Sequence, residues 1–344
     1  MGLMDIEWLQ LAGCAAAIGW AGARLTRLAD AIGAQTGMSG SWVGLVLLAA
    51  VTSLPELATG ISAVTVADAP NIAVGDVLGS TVFNLGLLAL LDLLHRPDTM
   101  YARAGSAHVL AAAWGIVLLA VVGAALLLEQ AGALPSIGPV GLYSPLLLLL
   151  YLVALRSVHG HERAQPAVER PVDRGRARAP GLRATWLQFA LSAAVVTVAG
   201  IGLPFVGGRI ADEQGWSRTF VGTLLVAAAT SLPEVVVTLT ALRLRALDMA
   251  IGGLLGSNLF DLLVIAIDDA FHTRGPLLAQ VSPLHALTAW FAVLMSAVVV
   301  MGLVHRPRRR VFATTTWAGL ALLALYLANA WLLFVLPAPA AGAR

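Results

Sequence analysis

Residues 42–60 read WVGLVLLAAVTSLPELATG and residues 71–92 read NIAVGDVLGSTVFNLGLLALLD, and both stretches occur a second time in the chain. Residues 220–238 read FVGTLLVAAATSLPEVVVT, and residues 248–269 read DMAIGGLLGSNLFDLLVIAIDD. The matched positions include Gly44 with Gly222, the TSLPE motifs at 52–56 and 230–234, Gly79-Ser80 with Gly256-Ser257, Phe83 with Phe260, and Asn84 with Asp261. An internal repeat of this kind constrains the architecture of the whole chain.

The composition around the repeats is that of a membrane protein. Of the 344 residues, 59% are hydrophobic and only 12% are charged, which is outside the range of soluble domains. Apolar stretches near the length of about 20 residues that a helix needs to cross a bilayer recur throughout, and they lack the alternation of barrel strands. We therefore predict an all-α polytopic protein with about ten transmembrane helices. The predicted spans lie near 9–28, 41–66, 71–94, 107–128, 138–155, 184–206, 217–242, 247–271, 281–304 and 313–336.

The distribution of basic residues predicts the orientation. All 21 basic residues are Arg, and about 17 of them fall on alternate loops, against about four on the others. By the positive-inside rule, both termini lie outside and the central Arg-rich linker is cytoplasmic. We expect a location in the inner membrane of a bacterial cell, a lipid bilayer as the surroundings and no nucleic-acid partner.

The same count divides the chain into two halves of five helices. The first half covers 1–155, the linker 156–183, and the second half 184–344, with the repeats near 42–92 and 220–269. Because each half contains an odd number of spans, the second copy enters the membrane from the opposite side. In transporters with such inverted-topology repeats, the ligand site lies near the bilayer midplane between the repeats.

Three acidic residues fall deep inside predicted spans. Glu56 and Glu234 occupy equivalent places in the repeat, and Asp261 follows in the next span. A charge at such a depth costs at least about 2.5 kcal/mol, so the group needs a partner. No Arg lies at a similar depth in these spans, since Arg218 is at the very edge of its span, which makes cations the natural counter-charge. Asp76, opposite Gly253 in the repeat, is a further acid that we assign to a possible entry path.

The neighbours of these acids suit a hard cation, which prefers oxygen ligands. Pro55 and Pro233 lack an N–H, so the backbone before each should unwind and expose carbonyl oxygens. Hydroxyl and amide side chains complete the oxygen-rich set: Thr52, Ser53, Ser80, Asn84, Thr230, Ser231 and Ser257. Ser80 and Asn84 are four residues apart, as are Ser257 and Asp261, so each pair shares one helix face.

The paired TSLPE and GS-x-x-F-[ND] motifs resemble the two alpha-repeats of the sodium/calcium exchangers in the cation/calcium antiporter superfamily. This resemblance implies a core of the second, third, seventh and eighth helices, with the first and sixth helices sliding across it. It also implies that Glu56 and Glu234 are the central calcium ligands, assisted by the backbone oxygens of Thr52 and Thr230. By the same resemblance, the sodium sites would be completed by Ser53, Ser80, Asn84, Ser231, Ser257 and Asp261. The Thr81 position, where relatives carry Asn as at Asn258, is a departure that concerns packing.

The leading interpretation is therefore a secondary antiporter that exchanges sodium for calcium by alternating access, with no cofactor beyond the transported Ca²⁺ and Na⁺. Proton/calcium exchange and potassium-dependent exchange are the alternatives within the same superfamily. A cation channel is a remote alternative, because an inverted repeat favours alternating access over a continuous pore. An intramembrane enzyme is disfavoured, because no nucleophile accompanies the paired carboxylates.

Overall fold

The chain folds as an all-helical bundle in a computed structural model that describes residues 3–36, 49–95, 98–164, 181–243, 247–311 and 314–336. In chain order the helices are α1 (Leu3–Thr36), α2 (Ala49–Thr52), α3 (Leu54–Thr65), α4 (Pro70–Leu94), α5 (Met100–Arg103), α6 (Ala107–Gln130), α7 (Tyr143–Ala164), α8 (Leu182–Gln214), α9 (Arg218–Thr230), α10 (Leu232–Arg243), α11 (Leu247–Phe271), α12 (Leu284–His305) and α13 (Trp317–Val335). A two-residue hairpin, β1 (Ser136–Ile137) and β2 (Val140–Gly141), precedes α7.

Seven of the described helices are long and apolar enough to cross a membrane, and the bent pair α9 and α10 is an eighth candidate. The protein is therefore a polytopic helical membrane protein. Every predicted span overlaps a described helix or broken helix, although part of the second span and Gly44 lie outside the described residues. The fifth prediction began too early, because Gly138 has a positive φ of 62° in the hairpin turn and the helix begins at Tyr143.

Both TSLPE motifs interrupt a helix at the serine. Ser53 separates α2 from α3 with φ −87° and ψ 10°, and Ser231 separates α9 from α10 with φ −82° and ψ 11°. The second pair bends by 46° at this point. Each break follows from the proline two residues later, which cannot donate to the carbonyl four residues before it.

The two longest helices cross these breaks in equivalent ways. α1 has 34 residues and α8 has 33, which is about 50 Å of helix and more than the roughly 30 Å hydrocarbon core. A Cβ atom on Gly22 of α1 would overlap the ring of Pro233, and a Cβ atom on Gly200 of α8 would lie 3.0 Å from the carbonyl oxygen of Pro55. Each long helix thus packs against the broken helix of the other repeat, and α1 and α8 also pack against each other.

Helices α4 and α11 form the centre of the bundle and are buried along most of their length. Their glycines permit close approach to the broken helices, as predicted from the GS motifs. A Cβ atom on Gly79 would overlap the carbonyl oxygen of Thr223 on α9, which fits the use of small residues where membrane helices touch. The four segments that carry the repeat motifs are therefore in contact with one another.

Candidate functional site: a buried cluster of carboxylates and hydroxyls

Four carboxylates from the two repeats lie together in the core. Glu56, Asp76, Glu234 and Asp261 are each no more than 3% exposed. In each of them, one carboxylate oxygen (Oε2 of the glutamates, Oδ2 of the aspartates) has no hydrogen-bond partner among the described residues. Burying an ionised carboxylate with an unpaired oxygen costs several kcal/mol of free energy unless a cation binds beside it. The predicted acids Glu56, Glu234 and Asp261 are thus brought to one place.

The other carboxylate oxygen of each glutamate accepts hydrogen bonds from serine hydroxyls. Ser80 donates to Glu56 Oε1 at 3.1 Å, and Ser257 donates to Glu234 Oε1 at 3.3 Å. Ser80 and Ser257 are equivalent in the repeat, so these are two copies of one interaction. The hydroxyls fix one oxygen of each glutamate, which leaves the other oriented for a ligand.

Two further equivalent contacts join the repeats to each other. The hydroxyl oxygens of Thr52 and Ser257 are 3.0 Å apart, and those of Ser80 and Thr230 are 3.4 Å apart. In each pair, a threonine before the break of one repeat meets the serine of the GS motif in the other repeat. The site is therefore formed jointly by both repeats.

The equivalence fails at Asn84 and Asp261, one of the equivalent pairs at which the repeats differ in charge. Ser53 donates a 2.7 Å hydrogen bond to Asp261 Oδ1, whereas its counterpart Ser231 donates to Glu56 Oε1 at 3.3 Å. The Asn84 amide group instead donates to Asn258 Oδ1 at 3.0 Å. The Asn84 carbonyl oxygen remains without a hydrogen-bond partner among the described residues.

Asn258 links α4 and α11 in the structure. It accepts from Asn84 and donates to the backbone carbonyl of Thr81 at 3.4 Å. This fits the interpretation of that asparagine as a packing residue. Thr81 itself bonds back to the carbonyl of Val77 at 3.0 Å.

The helix breaks leave backbone carbonyls for the site. Across the first break, the Ser53 amide donates to Ala49 and the Leu57 amide donates to Ser53, both at 3.1 Å. Pro55 has no N–H and cannot donate to the carbonyl of Val51, which lies between these two bonds. The same two bonds, at Ser231 and Val235, flank the second break.

Asp76 is part of the site, which the sequence interpretation as an entry-path residue did not place there. It is fully buried, and Thr230 donates to its Oδ1 at 2.8 Å. The placement follows from the α4 face: Asp76 precedes Ser80 by four residues, one helical turn. The absence of an acid at the equivalent Gly253 concealed this from a comparison of the repeats.

The four carboxylates lie close enough to interact electrostatically with one another. Among the described residues, however, no three acidic, histidine or cysteine side chains converge tightly enough to hold one metal ion together. A calcium ion would therefore take at most two carboxylates, with hydroxyl, carbonyl and water oxygens completing its about six to eight ligands.

Two other buried acids, Asp269 and Asp92, accept several hydrogen bonds outside the cluster. Asp269 accepts from Tyr143 Oη at 2.6 Å and from the backbone amides of Gly141 and Leu277. Asp92, its equivalent in the first repeat, accepts from Thr315 and from the hydroxyl and amide groups of Thr316 at the start of α13. The hydrogen bonds to both oxygens of Asp269 compensate for its burial, whereas Asp92 Oδ1 has no hydrogen-bond partner among the described residues.

Known proteins resemble this chain over most of its length. The family model described as "Sodium/calcium exchanger protein" matches residues 6–156 and 184–335. The inner membrane protein YrbG of Escherichia coli is 25% identical over 261 residues, which cover 76% of this chain and 77% of that protein. The sodium/calcium exchanger MaX1 of Methanosarcina acetivorans is 29% identical over 125 residues, 36% of this chain and 33% of that protein.

A solved structure shares the fold. The sodium-calcium exchanger NCX_Mj, soaked with 2.5 mM Na⁺ and 0.1 mM Ca²⁺, superposes with a TM-score of 0.59 over 95% of this chain and 98% of that chain, at 21% identity. The family match covers most of both repeats and the site between them. The chain belongs to the sodium/calcium exchanger family and is a cation/calcium antiporter of the membrane.

Proposed function

We propose that the protein exchanges sodium for calcium by alternating access at the carboxylate cluster. The observation that carries the proposal is that each of four buried carboxylates keeps one oxygen without a hydrogen-bond partner in the described part of the chain, while hydroxyl groups donate to the other oxygen. Among the described residues, carboxylate and hydroxyl oxygens line this cluster, and Ca²⁺ and Na⁺ are hard cations that oxygen ligands bind.

Glu56 and Glu234 are the proposed calcium ligands, because they occupy equivalent positions and each accepts a serine hydrogen bond on Oε1 while Oε2 has no partner among the described residues. The backbone oxygens of Thr52 and Thr230 assist them from the two helix breaks. The hydroxyls of Ser53, Ser80, Ser231 and Ser257, with Asn84 and Asp261, contribute to the sodium sites. Asp76 joins this set through its contact with Thr230.

The architecture in the proposal is two inverted halves of five spans, 1–155 and 184–344, joined by a cytoplasmic linker at 156–183. Both termini then lie outside the cell. The paired contacts of Thr52 with Ser257 and of Thr230 with Ser80 support equivalent repeats. Helices α1 and α8, which cross the breaks, are the elements that slide to open the site to either face.

Proton/calcium exchange is the alternative that the four carboxylates favour. One Ca²⁺ neutralises two of the four charges, and protons could neutralise the others when calcium leaves. The hydroxyl-rich lining favours sodium, because serine and threonine oxygens are ligands for a metal cation and are not needed for proton transfer. Potassium-dependent exchange would need an additional cation at the same cluster.

Calcium uptake by everted membrane vesicles tests the proposal. Vesicles are loaded with sodium, potassium or acidic buffer and then diluted into medium with radioactive calcium. Sodium/calcium exchange predicts uptake that depends on the sodium gradient and persists when a protonophore collapses the proton gradient. Uptake that requires the proton gradient and ignores sodium would establish the alternative.

A further inference from the structure

Asp268 on α11 is a buried acid outside the cluster, and its surroundings differ from those of its neighbour Asp269. Asp268 is 1% exposed, and neither of its carboxylate oxygens has a hydrogen-bond partner among the described residues. Asp269 uses both oxygens in hydrogen bonds. A protonated Asp268 would still lack an acceptor for its hydroxyl, so protonation alone does not satisfy the group.

Asp268 lies on the same helix interface as the cluster, two turns further along. Ser53 contacts Asp261 through a 2.7 Å hydrogen bond. Seven residues later on both helices, Gly60 of α3 lies so close to Asp268 that a Cβ atom on the glycine would overlap the carboxylate. The two helices therefore run parallel with a constant register, and the second contact lies about 10 Å from the first along their axes.

This second contact lies toward one face of the membrane. The loops that follow α3 and α11 are joined by an ion pair of 2.6 Å between Asp68 and Arg274, both exposed. The two helices thus end at the same face. Asp268, three residues before the end of α11, lies between that face and the carboxylate cluster.

The other repeat has no acid at the equivalent position. Gly60 corresponds to Thr238 on α10, and Asp268 corresponds to Leu91 on α4. Both counterparts are buried, and Leu91 belongs to the hydrophobic core. Only one of the two related interfaces therefore carries a charge two turns from the cluster.

We propose that Asp268 binds the incoming cation transiently on the path between the carboxylate cluster and the membrane face that carries Asp68 and Arg274. The inference rests on the proposed cation exchange at that cluster. Its ligand is a partly hydrated calcium or sodium ion, because a single carboxylate supplies two oxygens and water supplies the others. The Gly60 backbone leaves the carboxylate space that a larger residue would fill. A cation that enters from the opposite face passes Thr238 and Leu91 instead, and it meets no carboxylate at the equivalent position.

The test compares calcium uptake from the two faces in right-side-out and everted vesicles of the full-length protein. All variants carry Cys14→Ala and Val66→Cys, because exposed Val66 follows α3 and reports with an impermeant thiol reagent which face is outside. In Asp268→Asn, the apparent KM for calcium should rise on the order of tenfold when the Val66 face meets the calcium solution. With the other face exposed to calcium, KM should stay within about twofold of the parent.

Two variants separate this role from general effects. Gly60→Ala keeps the charge but displaces the carboxylate, so it should raise KM from the same face, and the double variant should add little to Asp268→Asn. Glu129→Gln removes another carboxylate near the Asp269 end of the bundle and should leave KM unchanged. Removing an uncompensated buried charge should also preserve or raise the melting temperature of Asp268→Asn.

Unchanged KM from both faces in Asp268→Asn, or an equal rise from both, would overturn the inference. A loss of folding in that variant would also contradict it, because it would mean that the carboxylate is a structural group. If the parent protein takes up no calcium under any gradient, the proposed function fails first, and the parent measurement shows this directly.

Discussion

Gly22 of α1 packs directly against the ring of Pro233 at the second helix break, with no room for a Cβ atom between them. Gly200 of α8 has the equivalent position at the first break, where a Cβ atom would lie 3.0 Å from the Pro55 carbonyl oxygen. Both long helices thus touch the cluster's supporting backbone through glycine. Because glycine has no side chain to interlock with the neighbouring helix, such a contact is compatible with one helix sliding along another.

We predict that Gly22→Val slows calcium exchange by at least about tenfold while calcium binding at equilibrium changes little. The added side chain would lock α1 against Pro233 in one position. Gly13→Ala on the same helix is the matched control, because a Cβ atom there has no described neighbour within 4 Å. Stopped-flow counterflow and calorimetric binding measure the two quantities, and equal losses in both would argue against a sliding contact.

The central carboxylates give the second prediction. Glu56→Gln and Glu234→Gln should each abolish calcium transport and leave the protein folded, because each removes half of the charge proposed to hold Ca²⁺. Asp212→Asn, which alters an exposed ion pair with Arg218 at the end of α8, should transport normally. Radioactive calcium flux at matched expression, with gel filtration for folding, is the measurement, and wild-type flux in either glutamine variant would refute the ligand assignment.

The repeat made most of this site predictable from the residues. Both helix breaks at the TSLPE serines, the burial of Glu56 and Glu234, and the contact of Gly79 with a neighbouring backbone follow from the position of a proline, an acid or a glycine within a repeated motif. Such local rules do not depend on knowing which helices meet. The ten-span count and the inverted arrangement remain predictions.

Pairing between distant helices was the part that the residues could not reveal. Asp268 and Asp269 are adjacent in an apolar stretch, and only Asp269 has an acidic counterpart, Asp92, in the first repeat. Only the packing shows that Tyr143 and the hairpin hydrogen-bond to Asp269, while Asp268 faces Gly60. The contact of Asp76 with Thr230 could not be predicted for the same reason, since the two residues are 154 positions apart.

Asp76 gives a third prediction. Asp76→Asn should weaken apparent calcium affinity on the order of tenfold, since it removes a negative charge that interacts with Glu56. The equivalent residue Gly253 has no described neighbour within 4 Å of an added Cβ atom, so Gly253→Ala is a matched control that should retain the parental affinity. Calorimetric titration measures the calcium affinity of both variants. If Asp76→Asn binds calcium with the parental affinity, Asp76 does not contribute to the calcium site.

The proposed orientation is testable by labelling. Glu213 near the end of α8 is predicted to lie outside, and Gln165, which falls outside the described residues, is predicted to lie in the cytoplasm. Cysteines at these two positions, with Cys14 replaced, should react with an impermeant thiol reagent from opposite sides of the membrane. Labelling of both from one side in intact cells would be incompatible with the arrangement of two inverted halves.

The last prediction concerns Asp261, where the two repeats differ in charge. One Asp261 oxygen accepts from Ser53 and the other has no partner among the residues that the structure describes, whereas Asn84 at the equivalent place donates to Asn258. Asp261 therefore adds one negative charge on only one side of the cluster. Several sodium ions carry more total charge than one Ca²⁺, so the loss of this charge should penalise the sodium-loaded state more.

Asp261→Asn should accordingly weaken sodium binding more than calcium binding, and sodium should become a poorer competitor of calcium. Because Asn is nearly isosteric and occurs at the equivalent position, the variant should fold like the parent. Competition of sodium against radioactive calcium binding, in detergent at fixed ionic strength, gives the ratio of the two affinities. Asp261→Glu, which keeps the charge, should preserve that ratio better than Asp261→Asn. If calcium affinity instead collapses as in Glu56→Gln while sodium competition survives, Asp261 is a calcium ligand and the proposed division of roles is wrong.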